Sequence, residues 1–299
     1  QPVGNRGGPS GCHDLTSYPE YNLVAGACGS YGILLDATDP LHPVRLDALS
    51  DANFSLWHTA VFSNDASSVV FTDEWGGGTQ PRCREGDPFE LGGNTILGIG
   101  PNGRFTQHAY FKMPAVQTDT ENCVSHNGGL IPVPGRELMV QGWYQGGVNV
   151  FDFTDPDRPF EIAFFDRGPM GSELMLGGFW SAYWYNGYVY GSEIGRGLDV
   201  LRLQPTEHLT QNELDAAKLV RFEEFNPQMQ PRMTWPASFV VARAYVDQLE
   251  RAGGAQAEQA RQLRTQLASA ESQQGQARAT TLNQVATTAR TLHTQAQAA

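Results

Sequence analysis

The chain has 299 residues, a length that suits one large repeat domain plus a small second one. Its hydrophobic share is 40%, its charged share 17% and its formal net charge -12, with Lys112 and Lys218 the only lysines; binding to a phosphate backbone has no electrostatic support. No apolar run approaches the length of about 18 residues needed to cross a bilayer, so a membrane-spanning helix is excluded.

Taken in chain order, four segments repeat one series of features. Each opens on a short strand holding a His or its substitute: Cys12-His13-Asp14-Leu15, Trp57-His58-Thr59-Ala60, Ser125-His126-Asn127-Gly128 and Trp180-Ser181-Ala182-Tyr183. A turn follows, then an apolar strand over 23–27, 69–73, 138–143 and 188–193. Three of the four continue through a Gly into an alternating strand, at Gly32 to Asp36, Gly147 to Asp152 and Gly197 to Leu201. Repeats of three or four antiparallel strands at this spacing predict propeller blades. The second repeat carries an insertion from Gly76 to Gly93, rich in Gly and Pro, which reads as a long loop on one face.

The composition changes after Leu203. A helix is expected over 207–219, then a linker punctuated by Pro227 and Pro231. Apolar stripes at Phe239, Val240, Tyr245 and Leu249, at Leu263 and Leu267, and at Leu282, Val285 and Leu292 predict three helices, broken at Gly253-Gly254 and Gln273 to Gln276. The expected fold is mainly β: a propeller-type repeat domain of four recognisable blades over 1–203, a helix and Pro-rich linker over 204–235, and an α-helical bundle over 236–299.

Cys12, Cys28, Cys83 and Cys123 form no CxxC pair, which argues against a structural zinc site. An even count in a Gly-rich chain beginning on Gln rather than Met fits two disulfides in a processed chain or a fragment, from an oxidising compartment. Spacing alone leaves three pairings open; Cys12 with Cys28 within the first blade, and Cys83 with Cys123 across the insertion, is the expected one.

The motifs Gly-Ile-Leu-Leu-Asp-Ala-Thr-Asp-Pro at 32–40 and Gly-Val-Asn-Val-Phe-Asp-Phe-Thr-Asp-Pro at 147–156 stand beside Cys-His-Asp at 12–14 and Trp-His at 57–58. With Phe-Thr-Asp-Glu-Trp-Gly-Gly-Gly at 71–78 and Ser-His-Asn-Gly at 125–128, they resemble the LVIVD-repeat propeller family, in particular its secreted bacterial, choice-of-anchor B-like members. The resemblance covers about residues 10–203 and implies a fold rather than an activity. Family propellers are longer at the N-terminus, so the expectation is that this chain is part of a larger propeller, with one or more blades removed or supplied by another chain.

Repeat alignment places His13, His58 and His126 at equivalent inner-strand positions, facing a central channel. On the second strands Glu74 and Glu193 fall at matching places. Three imidazoles and two carboxylates form a competent site for a divalent transition metal such as Zn, Mn, Fe or Cu, and an acidic chain favours cation capture. The competing reading is inheritance: a His repeated in each blade also arises because it hydrogen-bonds a neighbouring strand. Asp36, Asp39, Asp152 and Asp155 stand in turns, where they are expected to cap backbone amides rather than bind calcium.

No nucleophile elbow or phosphate loop is present. Two functions follow. One is a secreted, periplasmic or cell-surface binding or scaffold propeller, with protein partners in a larger cell-envelope complex and a metal in its channel. The other is a metal-dependent oxidoreductase with its site in that channel.

Overall fold

A computed structural model of the chain describes residues 8–9 and 11–297. Among the described residues, fifteen strands form four antiparallel sheets, each a meander in sequence order. Blade one comprises β1 (Asp14–Tyr18), β2 (Leu23–Cys28), β3 (Tyr31–Asp36) and β4 (Val44–Ser50). Blade two comprises β5 (Trp57–Phe62), β6 (Ser68–Asp73), β7 (Asn94–Ile99) and β8 (Phe105–Phe111). Blade three comprises β9 (Gly128–Ile131), β10 (Leu138–Gly142), β11 (Val148–Asp152) and β12 (Phe160–Phe165). Blade four has three strands, β13 (Phe179–Tyr185), β14 (Tyr188–Glu193) and β15 (Gly197–Leu201). The expected four-bladed propeller arrangement is present, and so are the C-terminal helices.

The turns form for the reason their composition suggested. Asp36 accepts a bond from the Thr38 amide at 2.8 Å, and Asp152 accepts one from Thr154 at 2.8 Å. Asp39 and Asp155 do the same for Leu41 and Asp157. These short side chains replace the water that the turn amides would otherwise need. Successive blades interlock through large side chains set against glycine. A Cβ on Gly32 in β3 would lie 2.4 Å from the Trp57 ring of the next blade, so the glycine makes room for a fully buried indole. Around it Tyr18, Leu34, Phe54, Phe62, Phe71 and Leu97 form the core between blades one and two.

Both expected disulfides form, Cys12–Cys28 within blade one and Cys83–Cys123 across the insertion. Consecutive blades share strand contacts; among the described strands, blade four and blade one share none comparable.

The chain divides into two compact units. The first holds the blades and also residues 221–233. That Pro-punctuated stretch is a strap across the inner strands: Met229 bridges Ser17 in parallel, Phe225 packs on Tyr183, and Gln230 brackets Phe62 by accepting from its amide and donating to its carbonyl. The second unit comprises residues 132–135, 204–220 and 234–299. It contains α1 (Gln211–Ala217), α2 (Phe239–Ala252), α3 (Gly254–Ser272) and α4 (Gly275–Gln297). Helix α1 begins with a capping box made by Thr210 and Glu213, and Ser238 caps α2. Val246, Ala260, Leu263 and Leu267 form the buried centre of the bundle.

Candidate metal centre

The innermost strands of all four blades line one cavity of about 180 Å³, bounded by Thr16, Ala60, Gly128 and Tyr183, with Pro227 and Gln228 of the strap along its side. Around it the three expected histidines come together. The His13 and His58 ring centres are 4.2 Å apart and those of His58 and His126 4.1 Å; Trp180 continues the row, 4.6 Å from His126.

Each imidazole is held differently. His58 lies in β5 where the pairing with β6 slips a register between Trp57 and Ala60. Such an irregularity re-aims a side chain, here inward. His126, just before β9, is fixed by its amide to the Gly142 carbonyl at 3.1 Å and through its own carbonyl to the Gln141 amide at 2.9 Å. Its Nδ1 donates to the Trp180 carbonyl. His13 is exposed, tied by its amide to Ala27.

Glu74 follows β6 and sits within reach of all three. Its Oε2 is 3.6 Å from His58 Nε2, its Oε1 3.4 Å from His126 Nε2, and Tyr144 donates its hydroxyl to the same Oε1. One donor atom each from His13, His58 and Glu74 fall within 4.8 Å of one another. Burial pushes the Glu74 carboxyl up, but the approach of His126, the Tyr144 hydroxyl and the pull of His58 outweigh it and hold it down at about 2. Burial, reinforced by His126, lowers His58 to about 3 against the opposing pull of Glu74. At neutral pH the site therefore presents a neutral imidazole and an ionised carboxylate, the forms that ligate metals.

Glu193, the repeat equivalent of Glu74, stands elsewhere: its buried carboxylate accepts bonds from the Gly178 amide at 2.9 Å and from the Arg196 amide, closing a loop of blade four. Asp14 and Asp73 also bind other segments. Asp14 accepts from Gln228 of the strap, and Asp73 accepts from Ser55, Leu56 and Gly92, fixing the loops before β5 and β7.

Sequence reasoning missed Tyr144. It adopts a left-handed backbone with φ 54°, and its ring fills the space over Gly78, where a Cβ would lie 2.2 Å from Cζ. The signal was the glycine run after Glu74, which reads as a loop but is room for this phenol. Of the aromatic side chains of blade four, Phe179 and Trp184 are buried, whereas Trp180 and Tyr188 are exposed.

No family model matches the chain, and no curated protein matches it. Solved structures do. A functionally unknown protein from Desulfotomaculum acetoxidans DSM 771 is 13% identical, covering 68% of this chain and 50% of its own, with a TM-score of 0.37. The β-propeller domain of Myceliophteria thermophila Cps50 (Swd1) is 7% identical over 64% of this chain and 54% of its own, at a TM-score of 0.42. Kluyveromyces lactis Hsv2 is 12% identical over 67% and 50%, at 0.41. The chain spans about half the length of each.

Proposed function

We propose that the protein is a secreted or cell-surface binding propeller of the LVIVD-repeat kind whose His13, His58 and Glu74 hold one divalent transition metal. The observation that carries the metal is His58. The residue is 2% exposed, its Nδ1 has no hydrogen-bond partner, and its Nε2 faces the Glu74 carboxylate at 3.6 Å, too far for a bond between them. A cation shared between His58 Nε2 and Glu74 would supply the partner that the 3.6 Å gap denies both atoms, where an unmet buried polar atom costs about 1–3 kcal/mol. Two disulfides support an oxidising compartment.

Two imidazoles and a carboxylate suit Zn or Fe, and the bound ion would supply Lewis acidity. Tyr144 would fix the carboxylate rotamer through its hydroxyl, while His126 stays anchored by Nδ1 on the Trp180 carbonyl beside the site. Elemental analysis of the purified, dialysed chain tests this. About one equivalent of a transition metal is expected, lost in His58→Ala and Glu74→Gln; a metal-free protein, or content unchanged in both variants, would refute it.

A second reading, a metal-dependent oxidoreductase, is favoured by one feature: three protein donors beside a cavity, the pattern of sites that keep a coordination position open. It requires a redox-active metal whose spectrum changes on adding azide. A spectroscopically silent ion would leave the binding role alone.

A further inference from the structure

The row of rings beside the cavity changes character in blade four. Blades one to three each supply an imidazole, His13, His58 and His126, spaced 4.2 and 4.1 Å; the next place, 4.6 Å on, belongs to the indole of Trp180. Trp180 stands where the pairing of β13 with β14 slips register between Phe179 and Ser181, as His58 does in β5. Both irregularities re-aim a side chain, but His58 is buried whereas Trp180 is 44% exposed. T-shaped contacts with His126 and Tyr144 hold its ring, which lines the cavity of about 180 Å³. A rigid aromatic surface beside a cavity is the pattern of small-molecule sites.

Polar groups stand on the other walls. Asp14 comes from β1, Asn127 from the segment before β9, Tyr183 from β13 and Gln228 from the strap. Asp14 Oδ1 accepts from the Leu15 amide and from Gln228, which leaves Oδ2. Asn127 donates through Nδ2 to the Trp180 carbonyl at 3.4 Å, which leaves Oδ1. Among the described residues, these two oxygens, the Tyr183 hydroxyl and Gln228 Oε1 have no hydrogen-bond partner. Thr16 and Thr59, by contrast, bond the Ala60 carbonyl and Thr72 within the sheets. Among the described residues no Lys or Arg lines the cavity, so no basic side chain offers an anion its counter-charge.

We infer that this cavity binds one neutral pyranose sugar, its C–H face on Trp180 and its hydroxyls on Asp14, Asn127, Tyr183 and Gln228. At about 180 Å³ it exceeds the roughly 150 Å³ that admits a benzene ring, so one substituted six-membered ring fits. A phenol or an ammonium would answer the groups on one wall. Hydroxyls radiating from a pyranose rim, each both donor and acceptor, answer those on all of them. The inference does not depend on the metal, since none of the four polar groups is among its ligands.

The test is saturation-transfer NMR of the full chain with glucose, galactose and mannose, each free and as its methyl glycoside. Saturable binding of at least one, with Kd of roughly millimolar order, is expected. Trp180→Ala should weaken it roughly tenfold, and Tyr183→Phe, which removes only the hydroxyl, roughly fivefold. The uronate of the same sugar should bind more weakly. Equal binding of the methyl glycoside assigns the terminal unit of a glycan and its rejection the free sugar; either supports the inference. Absence of saturable binding overturns it, as does binding that neither variant weakens, or displacement of the sugar by a lower concentration of catechol or tetramethylammonium. The sugar should still bind after dialysis against a chelator, and binding lost with the metal also overturns the inference.

Discussion

Single residues in the inner layer of this propeller are defined by what their neighbours offer. Glu74 and Glu193 occupy the same register at the ends of β6 and β14, yet one faces imidazoles and a phenol and the other two backbone amides. Glu137 shows the cost of a carboxylate given too little. Burial, with Asp65 and Asp152 nearby, raises it to about 7, against one bond from the Asn64 amide at 2.8 Å. The sign follows from linkage: the unfolded chain releases this proton near the ordinary Glu value while the folded chain keeps it to about 7. Stability contributed by the protonated form is therefore full below the ordinary value and lost as pH rises to about 7, where the loss levels off. Glu137→Gln keeps an oxygen for Asn64 and removes the titration. Denaturant melts should show the variant gaining about 1–2 kcal/mol on the parent between pH 4.5 and 7, after allowing for partial solvent screening; a constant difference across that range would refute the account.

At the scale of elements, the strap over 221–233 is held to the blades by separate main-chain and side-chain bonds, those of Ser17 to Gln228 and Gln230, of Asn64 to Met233 and of Asn186 to Phe222 among them, and Gln230 is its buried anchor on β5. Its side-chain amide accepts from the Phe62 N–H at 3.0 Å and donates to the Phe62 carbonyl at 2.8 Å, satisfying both main-chain groups of that residue. Gln230→Ala strands two buried backbone groups, at a cost of about 1–3 kcal/mol. Faster amide exchange at Phe62 and in 226–231 is expected, with β11 and β12 unchanged; unaltered exchange in the strap would show that Gln230 does not anchor it. The strap was not legible in the sequence, because its contacts come one at a time with no period of 2 or 3.6. The blades were legible for the opposite reason. Gly before an alternating strand recurs in three of them and Asp before the following turn in two, and each is forced by local backbone chemistry. The convergence of His13, His58 and His126 was readable from that repetition. Tyr144 was not, since it replaces no repeated residue. Nor was the exposure of β15, because Gly-Leu-Asp-Val-Leu and Gly-Val-Asn-Val-Phe read alike while burial is decided by what lies alongside.

For the whole molecule, the two units rest on different physics. The blades bury a large aromatic core and carry both disulfides, whose crosslinks span 16 and 40 residues. In the chain-entropy account each crosslink restricts the unfolded state, by about 3 kcal/mol for the shorter and roughly 4 for the longer. The helical unit has no cysteine and a small aliphatic core, helped by Arg264 between Asp247 and Glu250 and by Arg251 on buried Glu213. A chain built this way should not melt as one cooperative block. Calorimetry is expected to resolve two transitions. A phosphine reductant, acting only on cysteines of the first unit, should lower the propeller transition and leave the other in place. Leu263→Ala, which empties the centre of the bundle at a cost of about 2–5 kcal/mol, should lower only the helical transition. If both treatments move a single shared transition, the units are energetically one, and the stability of the propeller would then depend on the packing of the helices.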